Sequence, residues 1–263
     1  MDPELRKVSE NMRELGLGAL THALRLSFYC TPENPSWASL SVLNAAHAAE
    51  ILIKARIAAE HPLLIFSQIP RSTQTRNPLL RFADLFARGQ TIDFAELPER
   101  LWATTGIRLP GLQIYAEFGK LRNAIQHFAS DEIEPVDQTL EFVFKVIDPF
   151  IFEQWGLYAI DFNEELGDHY EHIFDTLVVR DIRPLISPTA AECWRDLGYE
   201  PGLGAPAGYR PWFRKNMARV LAGAVEPVVA ARPPYGNRTK PSRKLAGGPP
   251  AGRHVLGRTK KTR

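Results

Sequence analysis

Apolar residues recur every three or four positions along most of the chain, and no segment sustains the strict alternation of a half-buried strand. The pattern predicts an all-α body. A first helix is expected from about Pro3 to Leu15, then the glycine-punctuated "LGLGAL" and a second helical stretch to about Tyr29. The segment "TPENPSW" carries strong breaker signals and reads as a loop. A long helix should follow from Ser39 to Glu60, stopped at His61–Pro62 because the residue before proline is disfavoured in the α region.

From Pro62 to Gly111 short apolar helical pieces alternate with Pro and Gly breaks, which reads as a long insertion. A central helix is expected from Leu112 to Phe128, another from Val136 to Trp155 with an interruption at Pro149, and one more within "FNEELGDHYEHIFDTLVVRDI". After "RPLISP" two short helical segments, "TAAECWRDLG" and "YRPWFRKNMARVLAG", flank a Gly/Pro loop. The expected organisation is a helical domain over residues 1–180 with its insertion at about 62–111, a small helical extension over 181–231, and a tail over 232–263.

Charge sharpens the division at residue 232. Of the 32 Lys and Arg, ten lie between Arg232 and Arg263, which holds no Asp or Glu, so residues 1–231 set 22 basic against 30 acidic side chains, a net of −8. The tail is also rich in Pro and Gly and poor in large apolar residues, so it cannot bury enough surface to offset the entropy of ordering. Its expected state is disorder. Arg243, Lys244, Lys260 and Lys261 within it suit an electrostatic contact with RNA or another polyanion, and a solubilising tail has the same composition. Two cysteines, Cys30 and Cys193, match no disulfide framework or zinc spacing, and no apolar run approaches the ~20 residues that span a bilayer. A cytoplasmic protein with no membrane association is expected.

The candidate chemistry lies in "KLRNAIQHFA". On a helical wheel Ile114, Phe118, Leu121, Ile125 and Phe128 form one apolar stripe; Asn123 and His127 share the opposite face, and Arg122 stands at the border. These residue types suit cleavage of an RNA phosphodiester. Histidine exchanges protons near neutral pH, arginine holds a phosphate and the charge that builds on it, and asparagine can orient either group. That chemistry needs no metal. An ordinary solvated helix face is the competing reading.

The preceding long helix has two faces of interest. Val42, Ala46, Ala49 and Ile53 mark a small-residue packing face, whereas His47, Glu50 and Lys54 fall in line at i, i+3 and i+7. The trio reads as an exposed ridge laced by a Glu50–Lys54 pair. Alternatively, Glu50 faces Arg122 across a helix contact and fixes its guanidinium. A metal set of His47, Glu50 and His61 lacks any established ligand spacing, and His169 and His172 read as part of a charged helix face.

Together, "HAAEILIKARIAAEHP" and "KLRNAIQHFA" resemble the HEPN superfamily, the higher eukaryotes and prokaryotes nucleotide-binding domains. Its motif is an Arg, usually followed by a polar residue, and a His after four to six intervening residues, late in a four-helix up-and-down bundle. Arg122, Asn123 and His127 match that R-N-x3-H pattern. The resemblance covers about Pro3 to Leu177. It implies a metal-independent endoribonuclease without cofactor, in which Arg122, Asn123 and His127 are catalytic and Glu50, His47 and Lys54 give support. It further implies a homodimer with a composite active site, RNA as substrate, an antitoxin or regulatory protein as partner, and a toxin–antitoxin or anti-phage setting. The alternative it leaves is a non-catalytic dimerisation module that binds RNA or protein.

In "YRPWFRKNMAR", Tyr209, Trp212 and Phe213 alternate with Arg210, Arg214, Lys215 and Arg219. Aromatics among cations can stack bases and neutralise phosphates, which makes Arg210, Arg214 and Lys215 candidate RNA contacts. A helix docked by Trp212 with its basic side in water fits the same pattern.

Overall fold

The computed structural model describes residues 3–74, 79–128, 135–162 and 170–223. The described chain is all-α apart from one short β ladder. After a single turn, α1 (Pro3–Arg6), come α2 (Val8–Phe28) and α3 (Ser36–Glu60), which pack together along their length. The glycines of "LGLGAL" do not break α2. Gly16 is instead a point of close approach between the two helices, since a Cβ there would lie 2.7 Å from Leu52 Cγ.

Helix α3 is alanine-rich and buried on most of its circumference, with Ala45, Ala48, Leu52, Ala55 and Ile57 excluded from solvent. Small side chains admit neighbours on several sides, and α2, α5, α6 and α7 all contact it. It ends where the sequence says it must: His61 is extended (φ −163°, ψ 131°) ahead of Pro62, and its Nδ1 accepts a hydrogen bond from the Leu63 amide at 3.2 Å.

The insertion has more structure than helical fragments. Strand β1 (Phe66–Gln68) pairs antiparallel with β2 (Gln90–Thr91), and α4 (Phe82–Arg88) lies between them in sequence. The ladder escapes a periodicity reading because three and two residues are too few to show alternation. A short 3₁₀ turn, Phe94–Glu96, leads into α5 (Leu97–Thr105). Ile65, Leu85, Ile92, Leu97, Leu101 and Leu109 are buried, which anchors the insertion to the helices around it.

Helix α6 spans Leu112–Phe128, the bounds expected from the sequence. It begins after Gly111, whose φ of 59° and a Cβ position 2.9 Å from Val146 Cγ2 both require glycine. Phe118, Leu121 and Ile125 are buried and Ile114 is half-buried, as the stripe predicts. Phe118 stacks on Phe142 with centroids 3.9 Å apart.

Next come α7 (Pro135–Phe142) and α8 (Asp148–Trp155), joined without a break by a π-helical turn, Val143–Ile147. Pro149 therefore widens the helix rather than interrupting it. Proline lacks an amide and crowds the carbonyl four residues back, and the π turn relieves both conflicts. Buried Thr139 ties α7 to α3 through its hydroxyl, 3.0 Å from Ser41 Oγ.

The remaining helices are α9 (Tyr170–Val179), α10 (Pro188–Leu197) and α11 (Tyr209–Leu221). Phe174, Trp194, Tyr209 and Phe213 form a buried aromatic cluster between them. Asp148, fully buried, connects this region to the bundle. Its Oδ1 accepts from the Ala159 amide at 2.8 Å and its Oδ2 from the Leu185 amide at 2.9 Å. Burial pushes its pKa up to about 7 against the pull of those two amides.

Contacts divide the chain into one unit of Met1–Ala230 and a second of Ala231–Arg263. The described part of the expected 181–231 extension, residues 181–223, thus belongs to the same unit as the bundle, held by Asp148 and the aromatic cluster. The basic tail with Arg243, Lys244, Lys260 and Lys261 lies outside the described residues, as does His169. Among the described residues no helix is long and apolar enough to cross a membrane.

Candidate functional site

A cavity of about 760 Å³ opens where α3, the insertion and α6 meet. Its residues come from three stretches distant in sequence: Glu50 from α3, Thr91 to Glu99 from the insertion, and Leu112 to Asn123 from α6. Arg122 and Asn123 stand in its wall, and the Arg122 Nη1 donates to Asn123 Oδ1 at 3.1 Å. Arg122 is half-buried and Asn123 exposed, in keeping with their positions at the border and on the far side of the stripe.

His127 lies on the exposed side of α6, four residues beyond Asn123, and does not line the cavity. It stands five positions beyond Arg122, about 140° around the helix at 100° per residue, so the two side chains leave the helix in different directions. One chain therefore brings Arg122, Asn123 and Glu50 to one cavity and leaves His127 outside it.

The supporting trio on α3 separates. His47 is exposed and away from the cavity. Glu50 lines the cavity, and Lys54 is only 4% exposed, so the ridge expected in solvent is an internal pair. The Lys54 Nζ donates to Glu50 Oε1 at 2.6 Å and to Thr91 Oγ1 at 3.2 Å. The i,i+4 spacing predicts the pair but not its burial, which depends on tertiary packing around α3 and includes a bond to Thr91 of β2, 37 residues downstream. Glu50 makes no ion pair with Arg122, and the carboxylate is held by Lys54 instead.

Both charges nevertheless reach one group. Tyr115 is buried on α6, and its hydroxyl donates to the Phe94 carbonyl at 2.7 Å. Burial first, then the Glu50 charge, push this phenol far above its ordinary pKa, while the Arg122 charge pulls it back. Tyr115 and Phe94 also stack in parallel, with centroids 4.3 Å apart and planes within 4°. Sequence reasoning missed both residues. Tyr115 carried a usable signal, three residues before Phe118 on the stripe; Phe94 carried none, since its place depends on how the insertion folds.

Among the described residues no group of three His, Cys, Asp or Glu is arranged to hold a metal. His172 Nε2 instead lies 3.3 Å from the Phe28 carbonyl oxygen. Compared with protein-family models, with curated proteins and with solved structures, the chain matches none.

The candidate RNA contacts on α11 are partly committed elsewhere. Arg214 makes a two-pronged pair with Glu200, at 3.0 and 2.7 Å, and Arg210 Nε donates to the Pro201 carbonyl at 2.8 Å. Tyr209 and Phe213 are buried, so they dock the helix together with half-buried Trp212 and have no face open for a base. Lys215 is exposed and makes no such bond.

Proposed function

We propose that this protein is a metal-independent endoribonuclease of the HEPN type, acting by attack of a ribose 2′-hydroxyl on the adjacent phosphodiester. What supports the reading is that Arg122 and Asn123, the first two residues of the R-N-x3-H motif, share one cavity with the Glu50 carboxylate. His127 follows on the exposed face.

In this mechanism Arg122 holds the scissile phosphate and the negative charge that grows on its oxygens. His127 takes the proton from the 2′-hydroxyl as that oxygen bonds to phosphorus; the bond to the 5′-oxygen breaks, and the imidazolium so formed returns the proton to the leaving oxygen. The products are a 2′,3′-cyclic phosphate and a 5′-hydroxyl. Because Arg122 and His127 diverge on one helix, the reading requires two copies of α6, with His127 of one copy acting beside Arg122 of the other. Toxin–antitoxin or anti-phage systems, with a protein that restrains the activity, are the setting this function fits.

The position of His127 outside the cavity favours a second reading, a module that binds RNA or protein without cutting. Cleavage of total RNA in EDTA separates the two. For an endoribonuclease, Arg122→Ala should slow cleavage by roughly 10²–10³-fold and His127→Ala by roughly 10²–10⁴-fold, with folding and oligomeric state unchanged. Binding of RNA with no cleavage by the wild-type dimer would support the module, and undiminished cleavage by both variants would remove these residues from the mechanism.

A further inference from the structure

The cavity is larger than a phosphate-binding site needs, and much of its wall comes from the insertion. Its polar groups are unevenly distributed. The cations, Lys120 and Arg122, stand on α6, whereas the carboxylates come from α3 (Glu50) and the insertion (Asp93 and Glu99). An ionised carboxylate only accepts hydrogen bonds. A complementary ligand therefore carries an anionic group at one side and hydrogen-bond donors at the other.

Glu50 is the most constrained of these acceptors. Lys54, buried and bonded also to Thr91, occupies Oε1 and fixes the side chain, while Oε2 has no hydrogen-bond partner among the described residues. An acceptor held this way in a partly buried wall discriminates strongly, because a ligand without the matching donor leaves it unpaired. The same wall offers a flat aromatic surface, Phe94 lying parallel on Tyr115. Gly119 permits that arrangement, since a Cβ there would come within 3.1 Å of the Phe94 ring.

We infer that the insertion side of the cavity is a nucleobase subsite that selects bases carrying an exocyclic amino group, with Glu50 as acceptor, Phe94 as stacking surface and Lys54 as the residue that positions Glu50. This rests on the ribonuclease reading, in which the neighbouring phosphate sits on Arg122. Adenine and cytosine present an amino donor on the edge that faces an acceptor. Uracil offers a single N–H between two carbonyl oxygens, and both oxygens oppose a carboxylate. Stacking on an aromatic ring tolerates every base, so discrimination falls to Glu50.

The test measures binding of short 2′-O-methyl oligonucleotides of A, C or U to the full chain by fluorescence anisotropy; the methyl group removes the nucleophile, so binding is read without cleavage. The A and C oligomers should bind at least about tenfold more tightly than U, in line with a hydrogen bond to a charged group. Glu50→Gln, which can donate as well as accept, should narrow that gap to about threefold or less. Phe94→Ala, on the insertion wall and away from the Lys54 pair, should weaken all three oligomers by about tenfold or more while keeping their order. Equal binding of U, or an unchanged gap in a folded Glu50→Gln protein, would overturn the subsite and leave the cleavage mechanism standing. Failure of every oligomer to bind would overturn both.

Discussion

Two buried ionisable side chains, Lys54 and Asp148, sit in contrasting surroundings. Lys54 pairs with Glu50, which is part-exposed and opens onto a cavity shared with Arg122. Asp148 has no charged partner within bonding distance and binds two backbone amides from segments 11 and 37 residues away. A carboxylate closed in by amides acts as a structural clamp, and its raised pKa follows from burial first, with the nearby Asp161 charge adding to it. A pair whose carboxylate residue lines a cavity remains able to meet a ligand. Burial of a charge is thus not by itself the mark of a site; what the charge opens onto decides.

The strongest way to break that contrast is Asp148→Ala. It leaves the Ala159 and Leu185 amides unpaired in the interior, so the unfolding free energy should fall by roughly 3–5 kcal/mol, read from chemical denaturation. Oligonucleotide binding by the fraction that remains folded should be unchanged.

Somewhat smaller is the pH dependence that Asp148 imposes. Its folded pKa, about 7, lies above the unfolded value near 3.8, so the folded state binds the extra proton. The stabilisation this gives is complete below pH 3.8 and is lost as pH rises toward and through 7. Denaturation midpoints of the wild type, compared with Asp148→Asn, should show a contribution on the order of a few kcal/mol that disappears over that window. A flat difference between the two proteins from pH 4 to 8 would mean that Asp148 does not carry the proton.

The smallest effect is expected for Lys54→Met. Methionine fills the volume of the stem, and the stranded Glu50 can take water from the cavity, so the loss should be about 1–2 kcal/mol, below the 3–5 typical of a charge left fully buried. A loss as large as that of Asp148→Ala would show the pair to be as closed as the clamp.

Helix α6 was legible from sequence to the residue because a single apolar stripe at a period of 3.6 fixes both its extent and its faces. Gly16 was not, since glycine that breaks a helix and glycine that admits a neighbour look alike until Leu52 is in place. Motif and wheel single out Arg122 and Asn123, which the fold places in one cavity wall. Glu50 was found for a contact it does not make, because whether it faces Arg122 or Lys54 depends on packing beyond its own helix. Phe94, Thr91 and the two partners of Asp148 were invisible for a common reason: each acts through a contact at least 11 residues away in sequence, with no local period to announce it.

The π turn at Val143–Ile147 works as a phase shift. An α-helix advances 100° per residue, and one additional residue in a turn rotates everything downstream by about that amount without altering the helix's course. The shift falls just before Asp148 and thereby sets the direction in which that carboxylate leaves the helix. A related chain with the same packing and no proline at position 149 could do without the turn, and it would reach the same arrangement with one residue fewer. Alignment across this helix should therefore allow a single-residue gap between Val143 and Ile147, where ordinary practice forbids gaps inside helices.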